Sequence, residues 1–363
     1  MRELMSMKNS GLFQLISIVT LAVSLSAPAL ADKNKHKHMK HHGKADLSIM
    51  VLGSGGPVAT DKGRASAGYL VFTGNQPRIL MDVGGGTFQR LAKSGVNIKD
   101  LDIVLLSHLH TDHTGDLTPV IKTIYFHNNL ARNADPTLLG RTAPINIYGP
   151  TSTSFPDGPG GKFPNGVLQY PSTEDYVHHH YSVAEGGVER YLNAFAPAIS
   201  GGASAFAYTA NDLSSNWMSD DIETVLEAED GLTVTAIALN HGPVPAVGFR
   251  IDYKGKSIAY SGDTSSKTDN MALLASDVDL LIYDTAITDT LPANPIFHAL
   301  HTSPTRLGEI ATMAKAKKLV LSHITPVTEP RLDEVKEVIR SQGYRGKISK
   351  AKDLKVYRLG NHN

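Results

Sequence analysis

Four side chains that can bind a metal ion lie within six positions of one another: His108, His110, Asp112 and His113. Imidazole nitrogen and carboxylate oxygen are ligands that a zinc-type divalent ion accepts at about 2.0–2.2 Å. On a regular helix or strand these side chains would point apart, whereas in a tight loop they can converge. They directly follow the apolar run of residues 101–106, which is typical of a buried strand. The pattern therefore predicts a metal site at the end of a strand.

Three more residues of the same types each close a later apolar run: His241, Asp263 and His323. A single histidine in such a place is more often a capping or solvated residue, but three repeats of one arrangement are hard to obtain by chance. Active sites of α/β proteins commonly lie where strands end. Because the chain contains no cysteine, any metal ligands must be nitrogen and oxygen donors. We therefore interpret the three residues as partners of the first four.

The motifs around these residues resemble the metallo-β-lactamase superfamily and, within it, the ribonuclease Z-like branch. They read SHLHTDH from Ser107, NHGPVPAVGF from Asn240, YSGDT from Tyr260 and HTSP from His301, and LVLSHI ends the series. The resemblance covers roughly residues 47–324, apart from an irregular middle. It implies an α/β fold of the αββα type, in which two mixed β-sheets are packed together and flanked by helices.

The resemblance also implies a dinuclear metal site and a mechanism. The first ion would be held by His108, His110 and His241, the second by Asp112, His113 and His323, and Asp263 would bridge them. Zinc is the expected metal, although manganese or iron accepts similar ligands. Two such ions lower the pKa of a shared water and give a hydroxide that attacks the substrate. Asp112 would also orient this water.

His301 would be a catalytic histidine rather than a ligand, and His298 is the competing assignment. His301 precedes His323 by 22 positions (323 − 301), which matches the ribonuclease Z-like branch. A catalytic histidine here would stabilise the developing oxyanion or protonate the leaving oxygen. Asp284 ends an apolar run and is either a residue that orients a ligand imidazole or the first residue of a turn.

Strand and helix patterns alternate along most of the chain. Strands are predicted in LSIMVLGSGG, GYLVFTG, RILMDVG, LDIVLLSH, PINIYGP, IETVLEAE, LTVTAIAL, AVGFRIDY, KSIAYSGD, VDLLIYD, KLVLSH and LKVYRL. Helices are predicted at residues 87–92, 117–129, 266–276, 304–315 and 332–341. Residues 151–221 are rich in Gly, Pro, Ser, Tyr and His, which predicts an irregular insert or lid. Its aromatic side chains would either stack on a substrate ring or pack against the sandwich.

The N-terminal residues predict export. Residues 1–31 combine the positive Arg2 and Lys8, an apolar run and an Ala-Leu-Ala cleavage site, as in a signal peptide. Residues 32–46 are polar and rich in His and Lys, which predicts a disordered linker, and residues 47–363 would form the hydrolase domain. We expect a periplasmic or secreted protein without stable membrane insertion once the signal is removed.

Composition and spacing bear on the substrate. Lys+Arg and Asp+Glu are both 35, without the basic excess that dedicated nucleic-acid binders show. His241 and Asp263 are only 22 positions apart (263 − 241), whereas ribonuclease Z carries a tRNA-binding arm there. Together with the export signal, this spacing leads us to expect that tRNA is not a partner. Arg64 and Ser66 would help to hold an anionic group.

The leading hypothesis is hydrolysis of a small anionic ester. A phosphodiester is slightly preferred over an aryl sulfate, since both reactions cut a bond to oxygen at a tetrahedral centre. A β-lactamase or lactonase is the next alternative, because the same metals could attack a carbonyl, but the His301 motif favours the phosphodiesterase-like branch. A non-catalytic periplasmic metal-binding protein is the alternative outside enzymes, and it predicts exchangeable metal without turnover. The sequence leaves the physiological substrate and the oligomeric state open.

Overall fold

Two seven-stranded mixed sheets carry the fold in the computed structural model. The structure describes residues 45–98, 101–124, 144–152, 154–155, 168–181, 208–290 and 295–360. The signal peptide expected at residues 1–31, and nearly all of the linker expected at residues 32–46, lie outside this range. In the described part of the chain, no helix is long and apolar enough to cross a membrane.

The elements are numbered along the chain. The strands are β1 Leu47–Gly53, β2 Gly68–Thr73, β3 Gln76–Val83, β4 Ile103–Leu105, β5 Ile145–Pro150, β6 Ser154–Phe155, β7 Leu168–Gln169, β8 Tyr208–Leu213, β9 Ile222–Glu227, β10 Thr233–His241, β11 Val244–Tyr253, β12 Lys256–Tyr260, β13 Leu280–Asp284, β14 Lys318–Ser322, β15 Lys347–Lys350 and β16 Val356–Leu359. The helices are α1 Thr87–Ser94, α2 Thr111–Thr114, α3 at residues 117–124, α4 Thr173–Tyr181, α5 Asn270–Leu274, α6 Pro295–Leu300, α7 Pro304–Met313 and α8 Leu332–Ser341. Residue 124 ends the described part of α3.

The two sheets have the same pattern of strand directions. The first has the order β16-β1-β2-β3-β4-β5-β8 and the second β15-β14-β13-β12-β11-β10-β9. Starting from β16 in the first sheet and from β9 in the second, three antiparallel pairings are followed by three parallel ones. Sheets that contain both antiparallel and parallel pairings are called mixed sheets, and they are common among large sheets.

Three apolar clusters fill the layers. The central cluster joins the inner faces of the two sheets, for example Tyr69 and Val71 of β2 with Phe249 of β11. A second cluster packs the outer face of the first sheet against helices that include α3 and α4. A third packs α7 and α8 against the outer face of the second sheet. The αββα sandwich implied by the sequence motifs is therefore confirmed.

Edge strands are the main elements that sequence patterns did not reveal. In the outer strands β8 and β15 the side chains are partly buried or exposed, apart from the buried Leu213. Polar residues are common on edge strands, because one side of the strand has no partner. The described parts of residues 151–221 are also more regular than expected, since they contain β6, β7, α4 and β8. The helix predicted at residues 266–276 is confined to α5.

Candidate metal centre

Strand direction brings the predicted site residues to one edge of the second sheet. The parallel strands β12, β13 and β14 all end at this edge, next to Asp263, Asp284 and His323. β11 is antiparallel to both β10 and β12, so β10 also ends there, with His241 as its last residue. The carboxyl edge of a parallel arrangement is a common position for an active site.

The segment that carries the four clustered residues is a loop followed by one helical turn. His108 comes from the loop after β4, and His110 is the extended N-cap residue of α2. Asp112 and His113 lie within α2, so the chain changes direction between the two pairs. Gly84 permits this turn to approach β3, because a Cβ on Gly84 would lie 1.9 Å from the Asp112 carbonyl oxygen.

One group of potential ligands consists of three histidines, His108, His110 and His241. His108 Nε2 lies 2.9 Å from His110 Nδ1, and His241 Nε2 lies 3.4 Å from the same His110 nitrogen. The other nitrogen of His241, Nδ1, lies 2.7 Å from the Leu300 carbonyl oxygen. This contact fixes the ring, so that Nε2 faces the group.

A second group consists of two histidines and two carboxylates: Asp112, His113, Asp263 and His323. Their facing atoms are separated by 3.1 Å (His323 Nε2 to Asp263 Oδ2), 3.2 Å (His323 Nε2 to Asp112 Oδ2), 3.4 Å (His113 Nε2 to Asp263 Oδ1) and 3.5 Å (His113 Nε2 to Asp112 Oδ2). Asp263 also reaches the first group, since its Oδ2 is 3.9 Å from His108 Nε2. Asp263 therefore lies between the two groups.

These separations fit metal ligation. Ligand atoms about 2.0–2.1 Å from a tetrahedral ion are about 3.3 Å from one another, close to the distances in both groups. His113 Nε2 and Asp263 Oδ1 are buried and have no hydrogen-bond partner among the described residues. Buried polar atoms without partners are rare in proteins and call for an explanation such as an ion. The fold itself implies divalent metals, and the residues present fit them.

Buried negative charge supports the same conclusion. Four carboxylates, Asp82, Asp112, Asp263 and Asp284, are between 0% and 8% exposed. Within the described ranges, their ion-pair partners are histidines and none is a Lys or Arg. Buried charges are expensive unless they are paired or coordinate a metal. Divalent cations would balance this cluster.

Asp82 is a site residue that the sequence analysis missed. Its carboxylate receives hydrogen bonds from the backbone N–H of Ser107 (2.7 Å), the Ser107 hydroxyl (2.7 Å) and the Tyr260 hydroxyl (2.6 Å). Its Oδ2 also lies 2.6 Å from His113 Nδ1, which orients the His113 ring toward Asp263. The available signal was its position near the end of the apolar run RILMD, the same arrangement that identified Asp263.

Asp284 contacts two histidines of the site. Its Oδ2 lies 2.9 Å from His301 Nδ1, and its Oδ1 lies 3.3 Å from His323 Nδ1. His301 is buried and its Nδ1 is 3.9 Å from Asp263 Oδ2. The competing His298 is exposed on α6 and belongs to none of the potential metal-binding groups that the described residues form. The structure therefore brings His301, and not His298, to the site.

Local backbone geometry holds several of these residues in unusual positions. Asp82 and His323 have positive φ angles of 50° and 56°, which non-glycine residues adopt only at some cost in energy. Gly262, next to Asp263, has φ 54°, and a Cβ there would lie 2.5 Å from the Ser107 Cβ. Such conformations cluster at functional sites, where the surrounding structure maintains them.

Electrostatics differ between the two groups. Burial and the neighbouring imidazoles lower the pKa of His108 well below its usual value. Burial is also the main cause that lowers the pKa of His241, to about 3. These rings are neutral near pH 7 and offer lone pairs to a metal. For His323, burial lowers the pKa, but the nearby carboxylates of Asp263, Asp112 and Asp284 outweigh it and raise the pKa to about 10.

One further expectation about the site is not met, and the structure decides between the two alternatives left open for the insert's tyrosines. Arg64 does not face the site freely, because its guanidinium forms an ion pair with Glu329 and donates to Ser54 Oγ (2.7 Å) and the Ala351 carbonyl (2.9 Å). In the insert, Tyr181 is buried in the outer layer of the first sheet, with Tyr176 and Tyr208 packed against the same cluster. These tyrosines pack against the sandwich. Tyr191 lies outside the described residues.

Comparisons with known proteins agree with this geometry. Residues 179–324 match the family model of the beta-lactamase superfamily domain, and residues 47–141 match the model of the anti-Pycsar protein Apyc1. Ribonuclease Z of Mycobacterium bovis (strain BCG / Pasteur 1173P2) is 27% identical over 314 residues, which cover 85% of this chain and 96% of that protein.

Solved structures show the same fold. The short form of human tRNase Z has a TM-score of 0.57 and 20% identity, covering 86% of this chain and 100% of that chain. The metallo-beta-lactamase fold protein YhfI from Bacillus subtilis has a TM-score of 0.56 and 20% identity, covering 86% and 99%.

The expectation that tRNA is not a partner is wrong in the light of these relatives. The similar curated sequences are named ribonuclease Z, and solved structures of tRNase Z share the fold. The expectation rested on the short span between His241 and Asp263, which β11 and β12 do occupy. That short span argues only against an arm between His241 and Asp263. The chain therefore has the metallo-β-lactamase fold, and it is similar to proteins of the ribonuclease Z-like branch of that superfamily.

Proposed function

We propose that this metal-dependent hydrolase is a phosphodiesterase with two divalent ions, most simply zinc. The observation that carries the proposal is the position of Asp263 between a three-histidine group and a histidine–carboxylate group, with His301 at 3.9 Å. A shared carboxylate between two ligand groups is expected of a two-metal hydrolytic site. The similarity to ribonuclease Z, an enzyme named for cutting RNA, supports a phosphodiester as the substrate.

The residues of the site have different roles in binding the ions and orienting the water. His108, His110 and His241 would hold one ion, Asp112, His113 and His323 the other, and Asp263 both. When bound, such ions polarise the phosphoryl oxygens and lower the pKa of a water. Asp112 has the second role of orienting this water toward phosphorus, because its carboxylate is at the slightly exposed rim of the group.

His301 is placed to protonate the leaving oxygen. Burial lowers the pKa of His301, but the Asp284 carboxylate outweighs this effect, and the pKa is raised above its usual value. His301 therefore keeps its proton to a higher pH than an ordinary histidine does. Since Asp284 lies beside Nδ1, Nε2 is the nitrogen that can donate its proton to a leaving group. General acid catalysis of this kind contributes about 10²–10⁴-fold.

Export to the periplasm or the medium is a separate part of the proposal. It rests on the basic residues, apolar run and Ala-Leu-Ala site within residues 1–31. Fractionation of cells that express the full chain, with mass spectrometry of the mature N-terminus, tests it. Cleavage after Ala31 is expected, and an intact N-terminus in the cytosolic fraction contradicts export.

A substrate panel tests the proposed reaction. The purified protein with quantified metal is assayed on bis-p-nitrophenyl phosphate, a cyclic nucleotide, a precursor tRNA, p-nitrophenyl sulfate, nitrocefin and a homoserine lactone. We expect turnover of phosphodiesters, with the relative rates on the three phosphodiesters showing whether the substrate is small or a tRNA. Asp263→Asn should abolish turnover, while Asp220→Asn, which changes an exposed carboxylate, should not.

Other outcomes contradict the proposal in distinct ways. Turnover of the sulfate ester alone indicates an arylsulfatase, and turnover of nitrocefin or the lactone indicates attack on a carbonyl. Bound metal without turnover on any compound favours a metal-binding protein. Phosphodiester turnover that survives in Asp263→Asn shows that the reaction occurs elsewhere.

A further inference from the structure

A cavity of about 390 Å³ opens next to His301. This volume lies within the range of sites for small molecules, about 300–1,000 Å³. Its walls come from four segments: the loop after β1, the loop after β13, helix α6 with His301 just beyond it, and the loop after His323. Residues that line it include Val58, Ile287, Phe297, Pro326 and Val327.

Apart from His301, the lining of this cavity is apolar and uncharged. His301 is the only titratable residue among the described lining residues, and none is Lys, Arg, Asp or Glu. The hydroxyl of Thr325 donates to the Ala286 carbonyl at 2.8 Å, so it is already engaged. Away from His301 the cavity therefore offers no counter-charge for a phosphate, and this part of it suits a neutral, apolar group.

Apolar side chains are also unusually exposed at the mouth of the cavity. Val58 is 57% exposed, Phe297 49% and Val327 38%. Exposed apolar residues that cluster around a concavity commonly mark a binding site. The Phe297 ring lies at the surface of α6 and can offer an aromatic face to a ligand.

The position of the cavity relates it to the leaving group. His301 forms part of the wall and lies 3.9 Å from Asp263 Oδ2, measured from Nδ1. Thr325, Pro326 and Val327 follow almost directly after His323 in the chain. An ester whose phosphorus lies at the metal centre would thus project over His301 into the cavity. The part of the ester that enters the cavity would be the leaving group, whose oxygen His301 protonates.

We propose that this cavity binds the leaving group of the ester, and that it takes an uncharged unsaturated ring against Phe297. In the step itself, the bond between phosphorus and the leaving oxygen breaks, and water supplies the new oxygen on phosphorus and releases a proton to the solvent. The leaving oxygen receives its proton from His301. This inference rests on the proposed phosphodiesterase function. The ring can belong to an aryl ester or to a nucleobase, since both present a flat π-face to an aromatic side chain.

Kinetics on matched substrates test the inference. The wild type is compared with Phe297→Ala and Phe297→Leu on diphenyl phosphate and on bis(2,2,2-trifluoroethyl) phosphate, and each variant is referred to the wild type on the same substrate. We expect Phe297→Ala to lower kcat/KM for the phenyl ester about tenfold, mainly through KM, consistent with the stacking of one ring. For the trifluoroethyl ester, kcat/KM of Phe297→Ala should differ from that of the wild type by less than about twofold. For the phenyl ester, kcat/KM of Phe297→Leu should lie between the values of the wild type and Phe297→Ala. Ile222→Ala, an exposed residue of the edge strand β9, serves as the control.

A dinucleoside phosphate separates the two sources of the ring. Loss of the base on the leaving side, in an abasic analogue, should reproduce the effect of Phe297→Ala if the ring is a nucleobase. If only aryl esters respond to the variant, the ring is that of a small ester. An equal loss on phenyl and trifluoroethyl esters overturns the inference.

Binding without turnover separates this inference from the proposed function. Phenylphosphonate and methylphosphonate cannot be hydrolysed, and calorimetry on the wild type and Phe297→Ala compares their affinities. We expect the phenyl compound to bind about tenfold more tightly in the wild type only. If this preference is present but no phosphodiester is cleaved, the cavity stands and the proposed reaction fails. If phosphodiesters are cleaved without any preference for a ring, the cavity fails and the reaction stands.

Discussion

His113 Nδ1 lies 2.6 Å from Oδ2 of Asp82 at the base of the metal centre. The same carboxylate accepts from Tyr260 and twice from Ser107, so its orientation is held from both sheets. Because Nδ1 faces Asp82, His113 directs Nε2 toward Asp263 at 3.4 Å. Contacts of this kind fix the ring orientation of a ligand and increase its basicity.

Replacing Asp82 by Asn should therefore weaken one metal site. The side-chain amide of Asn would bring an N–H group close to Ser107, Tyr260 and His113, whose donors now face a carboxylate. We therefore expect metal affinity to fall about 10–100-fold. Competition with a chelator of known affinity measures the change, and circular dichroism checks that the fold is retained. Asp220→Asn is the matched control. Equal affinity in Asp82→Asn and the wild type would show that Asp82 does not support the ligand.

Asp284→Asn should alter the pH dependence of the reaction. Asp284 raises the pKa of His301, so the acid form of His301 persists to higher pH in the wild type. Activity that requires this acid falls as pH rises through the pKa, and in the variant the fall should occur at lower pH. The effect should be stronger for a phenyl than for a p-nitrophenyl leaving group, which needs less protonation. Superimposable pH–rate profiles for variant and wild type would contradict the role of His301 as acid.

Removal of metal should destabilise the protein. The buried carboxylates Asp112 and Asp263 repel each other without cations, and ligands that bind only the folded state stabilise it by about 2.7 kcal/mol at a hundredfold excess over Kd. Scanning calorimetry of the metal-loaded and chelator-treated protein should show a lower unfolding temperature for the latter, restored by zinc. An unfolding temperature that is the same with and without the chelator would argue against ions at this site.

The Arg64–Glu329 ion pair should contribute stability that depends on pH. The hydrogen bond from Arg64 is the main cause that lowers the pKa of Glu329 below its usual value of 4.5. A lowered pKa in the folded state means that the contribution is fully present above pH 4.5 and is lost as the pH falls through the lower folded value. Glu329→Gln should therefore cost about 1–3 kcal/mol at pH 7, measured by urea unfolding, and much less in acid. A cost that is constant with pH would show that charge is not its origin.

Most strands of the fold and the clustered residues of the site could be predicted from the sequence. Strand-end positions of His241, Asp263 and His323 were visible because apolar runs stop abruptly there, and strand direction then brings them together. Asp82 escaped notice because a single carboxylate within an apolar run has no motif of its own until its partners Ser107 and Tyr260 are in place.

Other features depend on packing that no local pattern encodes. The edge strand β8 has few buried side chains, so hydrophobic periodicity does not reveal it. Arg64 looked like an anion-binding residue, but its partner Glu329 is 265 positions away. The cavity beside His301 joins Val58, Phe297 and Val327 from distant parts of the chain, and its apolar character follows only from their meeting.

Metal titration with simultaneous activity measurement tests the central claim most directly. The chelator-treated protein is titrated with zinc while hydrolysis of bis-p-nitrophenyl phosphate is followed, and bound metal is quantified at each point. We predict that activity rises from background to a plateau near two equivalents per chain, and that Asp263→Asn shows neither the second equivalent nor the activity. Full activity in the metal-free protein, or a plateau unrelated to bound metal, would contradict the two-metal phosphodiesterase.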